Sequence, residues 1–573
     1  MTGGILLMLF IFSAQRAERM RIPPEAIEQM MDKGPIQINR AIVTGPLQLR
    51  YKEFKYEVSF TDVQFPHPVD FSFSTFERPV TFAGSAFDSS ITCQGCVVSR
   101  GISFDRAKVN AADLQDLQVG QLRFGGASVR SLRFDNAVVI GNATFADTQF
   151  TGSAVFFKTQ FMGFADFTGC QFEGGETRFE YASFANNLLF NPDVEASPVR
   201  FHHKALFTDI RVGGDAQFEQ VVFEEGANFQ RAQFEGVAFF NNARFRGDTR
   251  FPSANFGSEA QFRSVTFDAA AETDFVDFDN ARFMGLTAFD GSRFKLPLTF
   301  VSSAFEQGIT FDKSDFGKEV SFTAAGSQAP VSFKGTHFRE KVAFYGTSFP
   351  VVTFTDEAME GSPDPQFGGP VDLRNFRYDT MTVAWRDLLS QTSYDRQPYA
   401  QMEKALRTVG HDEMADEVYL ARRIEEGKRL SGDPIRWVLD RLFYLAAGYG
   451  VRPLRLLTLC GVLLALGTLM FSRPGTVTLK ESKTTPPGPQ TLSLPKAFGV
   501  AFQYFLPGID LPGASDWVPE AKPVFMKVCA FKREFGFALN PAFWTTLLLR
   551  IPGLIIVPLF LGITTGLLRT FSP

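Results

Sequence analysis

The stretch ANFQRAQFEGV, residues 227–237, contains one unit of the repeat that decides the fold. Its two phenylalanines stand five residues apart, each two residues after an alanine. The first phenylalanine recurs every eleven residues, and a second follows nearly every one by five. The eleven-residue series comprises Phe207, Phe218, Phe229, Phe240, Phe251 and Phe262, and after an insertion Phe278, Phe289, Phe300, Phe311, Phe322, Phe333 and Phe344. Such self-similarity is the signature of a repeat architecture.

The five-residue spacing fits neither a helix nor a plain strand. An α-helix advances about 100° per residue, so rings at i and i+5 would point roughly 140° apart. In a strand they would lie on opposite faces. A coil that turns a corner every five residues brings each ring to the inside, with Gly, Asn and Asp at the corners. The core is therefore predicted to contain Phe207, Phe218, Phe229, Phe240, Phe251, Phe262, Phe289, Phe300 and Phe311.

Between Phe104 and Val139 a large apolar residue recurs every five positions. Residues 110–114 of this region contain the A-D-L core of a known repeat. This pattern resembles the pentapeptide-repeat family, and the eleven-residue form resembles its Phe-rich variant, over about Ala41 to Phe354. The resemblance implies a mainly β fold, a right-handed quadrilateral β-helix with the central Phe or Leu stacked along its axis. At about 20–22 residues a turn, this region predicts about fifteen turns, and a strand spacing of about 4.8 Å would give a rod on the order of 70 Å.

The amino-terminal region divides into two predicted segments. Residues 1–17 contain an apolar run too short to span a bilayer, and we interpret them as a signal peptide. No Lys or Arg precedes this run, so a non-functional signal stays open. Residues 23–40 open with two prolines and predict a short helix that caps the first coil.

The solenoid is predicted to cover residues 41–358, followed by a Gly/Pro-rich linker. Residues 371–450 then predict a helical hairpin and a juxtamembrane helix from Pro434 to about Ala447. This last helix is compatible with two positions, on the bilayer surface or packed within the protein.

Residues 452–571 predict two transmembrane helices, Pro453–Phe471 and Ile551–Leu568, with the second extended backward through Phe543. Between them, Leu494–Leu506 is apolar but too short to cross. This order resembles, at a distance, the pore-loop domain of two-transmembrane ion channels. The candidate pore loop is Leu506, Pro507, Gly508, Ile509 and Asp510. A potassium filter needs a run such as T-V-G-Y-G, which is missing, so a non-conducting anchor is preferred.

The chemistry-bearing residues predict no enzyme. The formal net charge of −5 leaves no basic stripe for nucleic acid. Cys93 and Cys96 form a C-x-x-C that we interpret first as core residues, then as a disulfide, and last as zinc ligands. Because no phosphate loop, nucleophile elbow or paired-carboxylate motif stands out, we expect no catalytic residue, metal or cofactor.

The combined prediction is a multi-pass protein of the bacterial plasma (inner) membrane whose solenoid is a rigid, non-catalytic binding surface. The expected partners are membrane lipid, a protein on the solenoid surface and further copies of the chain. Arginines before the first span favour a cytoplasmic solenoid, whereas a working signal peptide favours an extracytoplasmic one, to which we lean. The alternative is an oligomeric two-transmembrane channel regulated by the solenoid.

Overall fold

Each turn of the amino-terminal region contains four short parallel strands. The structure, a computed structural model, describes residues 19–193, 197–355, 366–432, 434–480, 491–506, 508–530 and 533–564. The predicted signal peptide and Pro507 lie outside these ranges. One turn consists of Ala227–Asn228, Gln233–Phe234, Ala238–Phe239 and Arg244–Arg246, which we assign to faces 1, 2, 3 and 4. Thr249–Arg250 then pairs in parallel with Ala227–Asn228, 22 residues earlier.

The four faces continue along the whole solenoid. Among the described residues, faces 2 and 3 form sheets of 13 and 16 strands, and faces 1 and 4 join into one of 27. Three longer strands, Ala86–Thr92, Lys108–Asp113 and Ser128–Arg133, turn from face 4 into face 1 and make this join. In this five-residue region Lys108 pairs with Ser128, so the turn shortens to 20 residues. The predicted β-solenoid of about fifteen turns is confirmed.

The core consists of phenylalanine ladders. Phe229 stacks on Phe251 one turn later, with ring centroids 4.7 Å apart and ring planes 4° apart. Phe240 meets Phe229 edge to face at 5.6 Å and 86°. The eleven-residue series thus forms two facing ladders, and the second ring of each pair adds further ladders such as Phe234 on Phe256. Edge-to-face and offset rings are the favoured aromatic geometries, worth about 0.5–1.5 kcal/mol a pair beyond burial.

The small inward residues that carry a hydroxyl group form hydrogen bonds between successive turns. Thr148 Oγ1 donates to the carbonyl of Phe124 at 2.8 Å, and Ser303 and Thr336 donate in the same way to Phe278 and Phe311. These hydroxyl groups lie in the core, where an unpaired one would be costly. The position before each strand therefore accepts Ser or Thr as readily as Ala.

The corners are of two kinds. After the first ring of a pair, the chain turns through a residue with positive φ, for example Arg231 at 54°. Ala232 N–H closes this turn on the carbonyl of Phe229 at 3.0 Å. Arg, Lys and Ser occupy many such positions, so the expectation of Gly, Asn and Asp holds only in part. The corner between faces 2 and 3 contains glycine where two turns approach closely, since a Cβ on Gly163 would lie 2.5 Å from the backbone of Gly141.

The solenoid begins before the predicted residue 41. Met20–Ile22 pairs with Ala41–Val43, and Ile36–Asn39 pairs with Val58–Thr61. Between them lies helix α1, Pro24–Met31, whose Ile27 is fully buried. The first coil therefore contains two strands and a helix.

The solenoid also continues past the predicted end at residue 358, because residues 371–382 contain two further strands rather than a helix. Val371–Asp372 pairs with Val342–Ala343, and Thr380–Thr382 pairs with Val351–Thr353. The five-residue rhythm persists here through buried Leu373 and Tyr378. A search for phenylalanine at intervals of eleven misses it because the inward residues have changed.

Two helices follow the last coil, α2 at Trp385–Ser390 and α3 at Arg396–Thr408. The Gln397 side chain donates to the carbonyl of Phe376 at 3.1 Å and accepts from the N–H of Asn375 at 2.9 Å. Gln401 donates to the carbonyl of Tyr378. These amides bond groups that a next strand would otherwise pair, which protects an open sheet edge.

Residues 410–573 form a second compact unit. Its helices are α4 (Asp412–Lys428), α5 (Pro434–Ala447), α6 (Pro453–Phe471), α7 (Leu494–Phe505), α8 (Pro541–Thr545) and α9 (Ile551–Thr564). A π-helical turn, Thr546–Arg550, joins α8 to α9. Val477–Leu479 pairs antiparallel with Trp517–Pro519. Val524–Ala530 pairs antiparallel with Arg533–Leu539. The sequence analysis predicted neither pair.

Candidate interaction surface and apolar helical unit

The solenoid interior contains closely packed side chains. The predicted core residues are all fully buried, namely Phe207, Phe218, Phe229, Phe240, Phe251, Phe262, Phe289, Phe300 and Phe311. Cys93 and Cys96 are also buried and form a disulfide. Function in this unit must therefore come from side chains on the outside of the four faces.

Ion pairs connect neighbouring turns on the outside. On face 4, Asp268 accepts from Arg244 at 2.9 Å and from Lys295 at 2.7 Å, so one carboxylate links three turns. Burial alone would raise the pKa of Asp268, but the hydrogen bond and charge of Lys295, with the charge of Arg244, outweigh it and hold the pKa below its usual value. Pairs of this kind leave the faces covered by both signs of charge.

An apolar patch interrupts this polar surface at the corner between faces 2 and 3. Ile140, Met162 and Phe164 are 64%, 51% and 37% exposed, and they lie on two adjacent turns because Val139 pairs with Phe161. The glycines at this corner keep the turns close and leave the large side chains outside. We call Ile140, Met162 and Phe164 the corner patch. Contiguous exposed apolar side chains are typical of interaction sites.

Two shallow depressions lie elsewhere on the outer surface. One, of about 600 Å³, is lined by residues that include Phe275, Glu319, Lys341 and Tyr345. The other, of about 670 Å³, lies beside Asp147, Asp193 and Arg200. No group of three His, Cys, Asp or Glu side chains that could hold a metal ion occurs in the part of the chain that the structure describes.

The second unit contains two helices long and apolar enough to cross a membrane, Leu454–Phe471 and Pro541–Gly562. The second candidate span includes Phe543, which agrees with the predicted backward extension. Only 22% of each segment is buried inside the protein. Most of their apolar surface therefore faces outward.

The short apolar segment between the two candidate spans forms helix α7, which packs against both. Ala497, Val500, Ala501 and Phe505 of α7 are buried in one cluster with Phe471 and Leu549. Two glycines permit this packing. A Cβ on Gly467 would lie 2.8 Å from the Leu549 side chain, and one on Gly553 would lie 1.8 Å from the Phe505 carbonyl oxygen.

The described candidate pore-loop residues, Leu506 and Gly508 to Asp510, directly follow α7. Leu506 is half-buried against the α7 cluster. Gly508, with φ of 102°, Ile509 and Asp510 are exposed.

A family model described as "Pentapeptide repeats (9 copies)" matches residues 134–183 and 199–242. The predicted pentapeptide repeats are thereby confirmed, and both matched ranges lie within the solenoid. The comparison does not support the resemblance to a pore-loop channel. No curated protein and no solved structure matches the chain significantly.

Proposed function

We propose that this protein is a membrane-anchored scaffold whose solenoid presents a rigid, non-catalytic surface to a protein partner. The observation that carries the proposal is the contrast between a solenoid interior closed by packing and an outer edge with an exposed apolar patch. The anchoring part is supported by the two candidate spans, which leave most of their apolar surface uncovered.

Rigidity favours binding because a preformed surface loses little conformational entropy on association. Successive turns of the solenoid are joined by strand pairing, stacked rings and ion pairs such as those of Asp268. The corner patch therefore stays in one geometry. A partner with a complementary apolar surface would bury Ile140, Met162 and Phe164 together.

A photo-cross-linking amino acid at Met162 tests the proposed contact in membranes of the native host. Glu235 provides a matched control because it also directly follows the ring that ends a face 2 strand, Phe234, as Met162 follows Phe161. We expect a discrete cross-linked product from position 162 that is absent from position 235 and is lost with Ile140→Glu. No product from either position, or equal products from both, would contradict binding at the corner patch.

The second candidate function is an oligomeric ion channel with the solenoid as a regulatory domain. The packing of α7 against both candidate spans favours it, because a short helix between two spans is the arrangement that a pore loop needs. Two spans do not enclose a pore, so copies of the chain must assemble. Currents in planar bilayers that disappear with Gly508→Ala and Asp510→Asn would favour the channel, and silent bilayers containing inserted protein would favour the scaffold.

The membrane that we propose is the plasma (inner) membrane of a bacterium. Protease treatment of intact cells and of spheroplasts, with amino-terminal sequencing of the mature chain, determines the side on which the solenoid lies. Digestion from outside would agree with an exported solenoid and a working signal peptide. Protection in spheroplasts would place the solenoid in the cytoplasm.

A further inference from the structure

Helix α5, Pro434–Ala447, directs its apolar side chains away from the protein. Ile435, Val438, Leu439, Leu442 and Leu445 are 73%, 46%, 60%, 56% and 65% exposed. At about 100° per residue these five positions occupy a sector of roughly 120° on one side of the helix. We call them the outward stripe. A surface helix of a water-soluble protein normally buries such a stripe.

The opposite side of α5 is fixed by a polar contact with neighbouring segments. Tyr449 donates from its hydroxyl to Asp440 Oδ2 at 2.6 Å, and Arg423 of α4 lies 3.8 Å from Asp440 Oδ1. A Cβ on Gly427 would lie 2.5 Å from the same carboxylate. Burial and the hydrogen bond to Asp440 raise the pKa of Tyr449, so the phenol remains a donor. The rotation of α5 that leaves the stripe outside is therefore specified by its polar side.

The outward stripe is continuous with the first candidate membrane span. Only Gly448–Arg452 separate α5 from α6, and Ala447 is buried in one cluster with Leu456 of α6 and Ile556 of α9. The outer side of α6 is also apolar, with Leu454 at 73% and Leu457 at 49% exposed. Helix α5 is therefore adjacent to the first candidate span both in sequence and in packing.

Basic and aromatic residues occupy other positions around the same helix. Arg436 and Arg441 are exposed on α5, and Trp437 is 44% exposed. The Arg441 and Arg455 guanidinium groups lie 5.9 and 5.8 Å from the Tyr444 ring centroid. Arg, Trp and Tyr beside an apolar stripe are typical of helices at a membrane interface.

We propose that α5 lies in the surface of the bilayer, with the outward stripe among the upper acyl chains and its arginines at the level of anionic lipid headgroups. This inference rests on the membrane anchoring of the proposed function. In this position α5 binds lipid in addition to the two spans. The bilayer, rather than a second protein, contacts the outward stripe.

A nitroxide spin label at Leu439→Cys in the full chain tests this position. The other accessible cysteines are replaced by serine, and the protein is reconstituted in phosphatidylcholine vesicles containing phosphatidylglycerol. We expect oxygen to relax the label strongly and a water-soluble nickel chelate to relax it weakly. A label at Leu466, 46% exposed on α6, provides the hydrocarbon reference, and one at exposed Gln118 of the solenoid provides the aqueous reference.

The outcomes separate this inference from membrane anchoring. A chain that fails to float with the vesicles would overturn both. A chain that floats, with position 466 shielded but position 439 as open to the nickel chelate as position 118, would overturn the lipid position of α5 alone. Dipolar broadening between labels at position 439 would assign the stripe to a second copy of the chain and would also overturn it.

Discussion

The solenoid and the carboxyl-terminal unit place apolar side chains in opposite directions. In the solenoid, rings such as Phe240 are fully buried and the outside is covered by ion pairs. In the second unit, 22% of each candidate span is buried, and α5 points its leucines outward. The same hydrophobic effect explains both arrangements if water surrounds one unit and lipid the other. An exposed apolar side chain must therefore be interpreted by the medium, water or lipid, that surrounds its unit.

The largest effect is expected from removing one ring of the solenoid core. Phe240→Ala deletes a side chain that stacks on Phe218 and Phe262 at 4.9 and 4.7 Å. We expect the free energy of unfolding to fall by about 3–5 kcal/mol. Phe239→Ala is the matched control because this ring precedes Phe240 directly in the chain and is only half-buried. The free energy of unfolding of this control should fall by no more than about 1 kcal/mol.

Amide hydrogen exchange of residues 218–262 measures this pair of variants, since repeat proteins open locally. Protection should fall sharply with Phe240→Ala and little with Phe239→Ala. Equal effects would mean that the interior ladders do not dominate the stability of the coil.

A smaller effect is expected where helices approach closely in the second unit. Gly553→Ala places a methyl group against the Phe505 carbonyl, and overpacking of this kind costs about 1–3 kcal/mol. Gly461→Ala, on α6, is the control because nothing lies within 4 Å of its added Cβ. Thermal unfolding of the full chain in detergent micelles should show a lower midpoint for the first variant and an unchanged or higher one for the second. A tolerated Gly553→Ala would contradict the packing of α7 on α9.

The ion pairs of face 4 predict a stability term that depends on pH. Asp268→Asn should cost about 1 kcal/mol at neutral pH, since partly exposed pairs contribute modestly. The folded pKa of Asp268 is lowered. Its contribution is therefore complete above the unfolded pKa, near 3.9, and is lost as the pH falls through the folded pKa.

Acid unfolding curves of the wild type and of Asp268→Asn should converge at low pH. The control is Glu235→Gln, whose pair with Arg211 is 3.9 Å long and about 60% exposed on both sides. It should leave the curve unchanged. A constant gap between the wild type and Asp268→Asn at every pH would assign the effect to packing rather than to charge.

The smallest effect is expected at Cys170. Its Sγ lies 3.0 Å from the carbonyl of Phe145, in the position that Thr148 occupies one turn earlier. Cys170→Thr should therefore change stability by less than about 0.5 kcal/mol. Burial raises the pKa of the Cys170 thiol well above its usual value. Iodoacetamide should modify it only after unfolding, which peptide mass spectrometry detects, and rapid alkylation of the native chain would contradict its buried position.

The repeat and most helices were predictable because they depend on local periodicity. The spacing of Phe229, Phe234 and Phe240 predicts the coil. Helices α3 and α4 lie within residues 371–450, where the sequence predicted a helical hairpin. The last coil was missed because Leu373 and Tyr378 replace phenylalanine. Gln397 was missed because its hydrogen bonds complete a sheet edge that is distant in sequence. The corner patch was missed for a similar reason, because Ile140 and Met162 become neighbours only when turns stack.

By itself, the sequence determined that this chain coils every five residues and that two later segments are apolar enough to leave water, since both properties follow from short-range patterns of hydrophobicity. Only the tertiary structure decided how the rings divide into facing ladders, since the edge-to-face contacts arise between turns. It also decided that Asp440 turns inward and the leucines of α5 turn outward. That choice depends on Arg423, Gly427 and Tyr449 meeting one carboxylate, a set of contacts between segments that no periodicity encodes.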